Sequence, residues 1–344
     1  MRTKTRSTRG HVGWAVLCLA GLCVRGSSAQ DMVPGWPCRT LQLPARADLD
    51  KPPVITAIGL QPGSHLLATA GDDHVIYIWD VATGQEVRRL VGHTDLVHTV
   101  SFSPDGKILA SAGHDRQVIF WDAATGRQRF VLSGSRGAVT KLAWSHDGAR
   151  LAAAGFESQL RIYDDGGHHL LKELDGPGMD LRALAFSQDV QWIAVGGRSG
   201  VVRVFSADDF HPSLEYRAHR QRVRALLFSP DSKQIVSVGE DQKIHVRALD
   251  SSQGTDLPSR PAKMLSLAFC GPQQLAVGGS DNLIRLWDLS TGSEIGQLAG
   301  HEGSVTALAA DRNLLISGGY DTAVRVWTIQ DRVAGHVPRT REVK

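Results

Sequence analysis

Ser111, His114 and Asp115 stand within the short stretch LASAGHDRQVIFWD (109–122), and Gly92–His93 lies just upstream. Serine, histidine and aspartate can make a hydrolase triad, in which imidazole takes the hydroxyl proton and a carboxylate orients the ring. Such a site is needed once. Here the same residue types return at matching spacing as His219, Ser237 and Asp241, and again as His301, Ser317 and Asp321. Ser111 also falls in the middle of an apolar run rather than on a turn. Recurrence at a fixed register points to a buried hydrogen-bonded set that holds a repeated unit together. On that reading none of these residues is catalytic.

The register comes from an internal repeat. The strand VIYIWD (75–80) recurs as VIFWD (118–122), LRIYD (160–164), VVRVFS (201–206), KIHVRA (243–248), LIRLWD (283–288) and AVRVWT (323–328). Its penultimate residue falls at 79, 121, 163, 205, 247, 287 and 327, which is four intervals of 42 followed by two of 40. Each copy holds an apolar run such as HTVSFS, a turn such as Pro104–Gly106, a second run such as KILASAG, and then the tryptophan strand. A Thr-Gly turn (Thr83–Gly84, Thr125–Gly126, Thr291–Gly292) leads to a fourth run. Short alternating runs between such turns predict a four-stranded antiparallel meander, and no helical period follows residue 29. One meander cannot bury both its faces. Stacking the copies around an axis does so, which predicts an all-β, seven-bladed β-propeller.

The pattern resembles the WD-repeat β-propeller family over about residues 38–330. Gly92–His93 with Trp121–Asp122, Gly300–His301 with Trp327, Trp79–Asp80 and Trp287–Asp288 carry the likeness. The resemblance implies that a histidine before the first strand, a Ser or Thr in the second, an Asp in the next turn and the Trp of the third form one buried chain. Full sets are then His93, Ser111, Asp115 and Trp121 in blade 2, and His301, Ser317, Asp321 and Trp327 in blade 7. Blade 5 keeps His219, Ser237 and Asp241, with Arg247 in place of the tryptophan. Blade 1 keeps Thr69, Asp73 and Trp79, with Asp50 where the histidine would stand. Blade 6 keeps only Asp281 and Trp287, and blades 3 and 4 have lost the set. The seventh copy stops after its third strand. CRTLQLPAR (38–46) resembles a lone fourth strand, so an N-terminal strand is expected to close the ring and remove two open edges.

By the same resemblance, partners bind on one rim, at positions three and five residues after the histidine and just before the turn aspartate. These positions hold Arg182, Arg198, Arg222, Arg224 and Lys263 on adjacent blades 4 to 6, His98 and His114 on blade 2, Tyr320 on blade 7 and Ile55 on blade 1. An arginine arc beside an apolar sector suits an acidic protein or peptide partner, since arginine is favoured at binding hot spots. The competing expectation is an exported propeller enzyme or redox-associated subunit that uses the axial channel. The sequence shows no haem-attachment motif, phosphate loop or metal-ligand spacing to favour it, and neither cofactor nor metal is expected.

The first 29 residues are of another kind. A basic stretch, MRTKTRSTRG, precedes the apolar run VGWAVLCLAGLCV and the small residues GSSA, which reads as a cleaved secretory signal. The apolar run is too short to span a bilayer unaided. Residues 1–29 carry five basic residues and no acid, so the formal +3 of the whole chain becomes 33 basic against 35 acidic residues beyond them. Nucleic-acid binding is therefore not expected. Cys38 and Cys270 remain, too few for a disulfide framework. The expected organisation is a signal (1–29), a lead segment (30–37), the propeller (38–330) and a disordered polar tail (331–344). The chain is expected to be exported, monomeric and without a membrane span.

Overall fold

Alternating runs become strands in every repeat. In blade 2, Val97–Phe102, Ile108–Gly113, Val118–Asp122 and Gln128–Leu132 pair in chain order as one antiparallel sheet. Five further blades repeat this meander, and a seventh sheet completes the ring. The structure is a computed structural model that describes residues 30–33, 36–43, 52–164, 169–311 and 313–329, and these contain no helix. Asp50 and the segments expected to be signal and tail lie outside the described residues.

Local chemistry explains the turns. Ser103 donates to Asp105 at 2.6 Å, and Asp105 accepts Lys107 N–H at 3.0 Å, which closes the turn between the first two strands of blade 2. Ser145–Asp147, Ser187–Asp189 and Ser229–Asp231 repeat the device in blades 3 to 5. Short polar side chains that bond the backbone two residues on are what such turns select.

The second strand of each blade is buried on both faces after its first residue, as in ILASAG, RLAAAG and QLAVGG. Small residues there let adjacent sheets approach, and large apolar side chains from first and third strands fill the gaps. Seven apolar clusters result, one at each boundary between neighbouring blades. Ile76 and Ile78 of blade 1, for instance, pack with Val97, Phe102 and Trp121 of blade 2.

The ring closes as the N-terminal run predicts. Trp36–Gln42 pairs antiparallel with Ala323–Thr328, placing Cys38 opposite Trp327 and Leu41 opposite Val324. The closing strand begins at Trp36, and Gln30–Val33 pairs on its outer side, so blade 7 has five strands. Cys38 is buried in the closing strand, and burial pushes the Cys270 thiol up to about 12.

Leu41 is 2% exposed and joins blade 1 to blade 7. Leu41→Ala is expected to cost about 2–4 kcal/mol in denaturant unfolding with an unchanged m-value, the loss typical of a core leucine. A loss near zero would show that the ring is held elsewhere.

Candidate functional site

The repeated Ser, His and Asp residues form directed chains. In blade 2, Trp121 Nε1–H donates to Ser111 Oγ at 2.8 Å, and Ser111 donates to His93 Nε2 at 2.7 Å. His93 Nδ1–H then donates to Asp115 at 2.6 Å. Because the indole can only donate and the carboxylate only accept, this order assigns the imidazole its Nδ1–H tautomer. Blade 7 repeats the chain through Trp327, Ser317, His301 and Asp321 at 2.8, 2.7 and 2.9 Å. Blade 5 retains His219 with Ser237 at 2.9 Å and with Asp241 at 2.8 Å. Its Arg247 instead lies 4.3 Å over the Tyr216 ring. Ser111, Ser237 and Ser317 are fully buried, and each accepts or donates within its chain. His114, adjacent to Asp115 in sequence, takes no part in the blade 2 chain.

Each carboxylate also fixes the backbone of the turn it occupies. Asp115 accepts Thr94 N–H at 3.2 Å and Gln117 N–H at 3.2 Å, which ties the loop entering the blade to the turn before its third strand. Burial pushes Asp115, Asp241 and Asp321 up, but the histidine hydrogen bond and the backbone donors outweigh it. All three are held below the usual carboxylate range.

Where the histidine is missing, a different partner appears, and motif spacing alone did not reveal it. The residue four beyond the turn acid reaches back to it. Tyr77 O–H donates to Asp73 at 2.7 Å in blade 1, while Trp79 Nε1–H still donates to Thr69 at 2.9 Å. Arg161 pairs with Glu157 at 2.6 Å in blade 3, and Arg285 grips both oxygens of Asp281 in blade 6. The indole Nε1 of Trp287, whose second strand carries Val277 where the hydroxyl would stand, is buried without a hydrogen-bond partner.

These fastened turns position the rim. Leu96 O accepts His114 N–H at 2.8 Å, Ala138 O accepts Phe156 N–H at 3.0 Å, and Asp180 O accepts Arg198 N–H at 3.2 Å. The same bond joins Arg222 O to Glu240 N–H, Lys263 O to Ser280 N–H and Ser304 O to Tyr320 N–H. The approach requires glycine just before the donor: a Cβ on Gly113 would stand 2.3 Å from Leu96 O.

Four cations of the predicted arc meet on two carboxylates. Asp180 pairs with Arg182 at 2.5 Å and Arg222 at 2.8 Å. Glu240 pairs with Arg222 at 3.0 Å, Arg224 at 3.5 Å and Lys263 at 3.6 Å. Burial pushes Glu240 up, but the Arg222 hydrogen bond and the charges of Arg222, Arg224 and Lys263 hold it below its usual range. Arg198 is exposed beside this group and makes no ion pair among the described residues. On the other side, Arg182 lies 4.5 Å over the Phe156 ring, which packs against both His98 and His114. Burial, with Arg182 and His114 adding to it, lowers His98 to about 4. Tyr320 is 53% exposed. Ile55, expected on the rim, is instead fully buried, and Thr56 stands where His98 stands in blade 2. The count from Asp50 runs one residue short because blade 1 has no histidine to mark the register.

Inside the rim, the first strands enclose an axial cavity of about 360 Å³ whose lining includes His98, Lys141, Arg182, Arg224 and Tyr320. Among the described residues no group of three or more His, Cys, Asp or Glu is placed to hold a metal ion.

The family described as WD domain, G-beta repeat matches six segments of the chain, 47–80, 84–122, 126–164, 168–206, 210–247 and 292–328. Between the last two segments, residues 248–291 hold the first three strands of blade 6, where only Asp281 and Trp287 of the tetrad remain. Mitochondrial division protein 1 of Mycosarcoma maydis is 38% identical over 74 residues, covering 21% of this chain and 9% of that protein. Anaphase-promoting complex subunit cdh1 of Dictyostelium discoideum is 29% identical over 112 residues, covering 29% of this chain and 15% of that protein. A periodic tryptophan protein 2 homolog of Neurospora crassa is 39% identical over 67 residues, 19% of this chain and 8% of its own. The chain thus spans well under a fifth of the length of these relatives.

His301→Ala is expected to lower stability by roughly 1–3 kcal/mol at neutral pH, the cost of leaving buried partners unsatisfied. A carboxylate held below its unfolded value stabilises the fold above that value and loses the effect as pH falls through the folded one. Thermal melts from pH 7 downward should therefore show the gap between wild type and His301→Ala narrowing below the ordinary carboxylate range. A constant gap, or an unchanged melting temperature at pH 7, contradicts this role.

Proposed function

This chain belongs to the WD-repeat β-propeller family, and from that premise we propose that it is a non-catalytic scaffold whose rim, on blades 4 to 6, holds an acidic protein or peptide partner. The observation that carries the reading is the charge imbalance of the arc. Among the described residues Arg182, Arg222, Arg224 and Lys263 share Asp180 and Glu240, so two carboxylates face four cations. The ion pairs hold the guanidinium planes in place without neutralising the sector, and a fixed fork loses less freedom on meeting a carboxylate. Arg198 and Arg220 extend the positive surface. Met179, 65% exposed, and Tyr320 supply apolar contact beside it, a composition suited to the anchor and rim of a protein interface. The Dictyostelium relative is named as a subunit of a larger complex, which accords with a role in assembly.

The compartment we propose is extracytoplasmic, with the chain acting there as a monomer. The basic stretch, the 13-residue apolar run and the small residues before Gln30 support export through a cleaved signal.

Two experiments test these readings. A fluorescent poly-glutamate peptide should bind the full-length chain in a salt-dependent manner. The double variant Arg198→Glu, Lys263→Glu should weaken binding about tenfold or more while its melting temperature stays unchanged. Equal binding by wild type and variant would remove the arc from the proposal. Amino-terminal sequencing of the chain expressed in a host with a general secretory pathway should read from Gln30 in the exported fraction. A chain retained inside the cell and starting at Met1 contradicts export.

A further inference from the structure

Two rim positions hold histidine in blade 2 alone. His98 sits at the bulge of the first strand, where the pairing register shifts between Val97 and Thr99. His114 follows Gly113, and Leu96 O accepts its N–H at 2.8 Å. The other six blades carry threonine, arginine or leucine at the first place and no histidine at the second. The two rings meet over the rim. His98 Nε2 and His114 Nδ1 stand 3.3 Å apart, with ring centroids 5.5 Å apart and planes at 50°. Phe156 of blade 3 packs against both rings, at 6.2 and 5.7 Å between centroids. Backbone pairing from within blade 2 and an aromatic wall from blade 3 thus hold the pair together.

At that distance the two nitrogens make at best a long hydrogen bond. The same distance is the edge of a zinc tetrahedron. With Zn–N bonds of about 2.0–2.1 Å and tetrahedral angles, two ligand nitrogens stand about 3.3–3.4 Å apart. A square-planar copper or nickel centre with similar bonds would bring neighbouring nitrogens to about 2.8–3.0 Å. Each ring can offer a lone pair to one ion when its other nitrogen carries the proton. The exposed His114 gives such an ion a path from solvent. Charges of both signs act on His98: Asp95 favours a cation there, while Arg182 and Arg224 oppose it. Arg182 is itself engaged, by Asp180 at 2.5 Å and by the face of Phe156. Among the described residues no third His, Cys, Asp or Glu joins the pair. Water would fill the remaining positions, so a metal held here exchanges more readily than one in a closed four-ligand set.

We propose that His98 and His114 form a two-histidine site for an exchangeable zinc ion on the rim of blade 2, with His98 Nε2 and His114 Nδ1 as its ligands. Imidazole nitrogen suits zinc, whereas magnesium and calcium take oxygen ligands, so the pair also sets which cations are accepted. The inference stands apart from the acidic-partner reading, since neither histidine takes part in the ion pairs of blades 4 to 6.

Calorimetric titration of the untagged, chelator-treated full-length chain with zinc chloride tests the site. The tightest zinc ion is expected to bind one per chain, and magnesium chloride should give no comparable binding. His98→Gln and His114→Gln should each weaken that zinc ion at least tenfold, about 1.4 kcal/mol. His169→Gln, a histidine outside the pair, should bind zinc as wild type does. Because His114 is exposed, His114→Gln should keep the zinc-free melting temperature of wild type, which separates loss of a ligand from loss of the fold. Excess zinc should raise the melting temperature of wild type and leave that of His114→Gln unmoved. The variant Arg198→Glu, Lys263→Glu should bind zinc within about threefold of wild type, as expected for charges outside the site. No zinc binding by wild type, unaltered affinity in either His98→Gln or His114→Gln, or magnesium binding as tightly as zinc would each overturn the proposal.

Discussion

A four-stranded sheet has two apolar faces and no means of covering either by itself, and the seven apolar clusters of this molecule lie accordingly at the seven boundaries between blades. Everything else depends on that arrangement. A blade without neighbours would expose most of what it buries in the ring, so stability belongs to the closed circle and not to any one unit. The strand Trp36–Gln42 therefore has a consequence out of proportion to its length. It pairs with Ala323–Thr328, and its Leu41 and Cys38 enter two different inter-blade clusters.

Polar chemistry follows from the same burial. Carboxylates in the turns before the third strands accept hydrogen bonds from whatever donor the blade provides. Histidine serves in blades 2, 5 and 7, tyrosine in blade 1, and arginine in blades 3 and 6. In the six blades that carry an acid at this place it is satisfied, and the identity of its partner varies. Satisfying it pins the loop entering a blade to the turn inside it, which in turn fixes where the rim side chains stand. The residues that first suggested a hydrolase thus act on function through position.

Charge on the rim and charge in the channel arise differently. On the rim, Asp180 and Glu240 gather cations from three adjacent blades, so the excess is spread over an ordered network. In the channel, blade 3 carries Lys141 at the position where blades 1, 4, 5 and 7 carry alanine. The acidic partner proposed for this chain rests on the rim arrangement.

Much of the fold was legible along the chain, because a period of two within strands, turn residues between them and a repeat near 42 residues are all local properties. They determined the blade count, the strand order within each blade, the N-terminal closure and the residues eligible for the tetrads and the arc. Register without a marker was not legible: Ile55 and Thr56 exchanged roles because blade 1 has no histidine. The stand-in partners Tyr77, Arg161 and Arg285 were visible only as a spacing of four from the turn acid, which gains meaning once side chains on one strand face are seen to converge. Lys141 could have been noticed as the lysine at a position where sister copies carry small residues. The sharing of Asp180 and Glu240 could not. It depends on ion pairs between neighbouring blades, such as Arg222 with Asp180 and Lys263 with Glu240, and such distances exist only once the ring has closed.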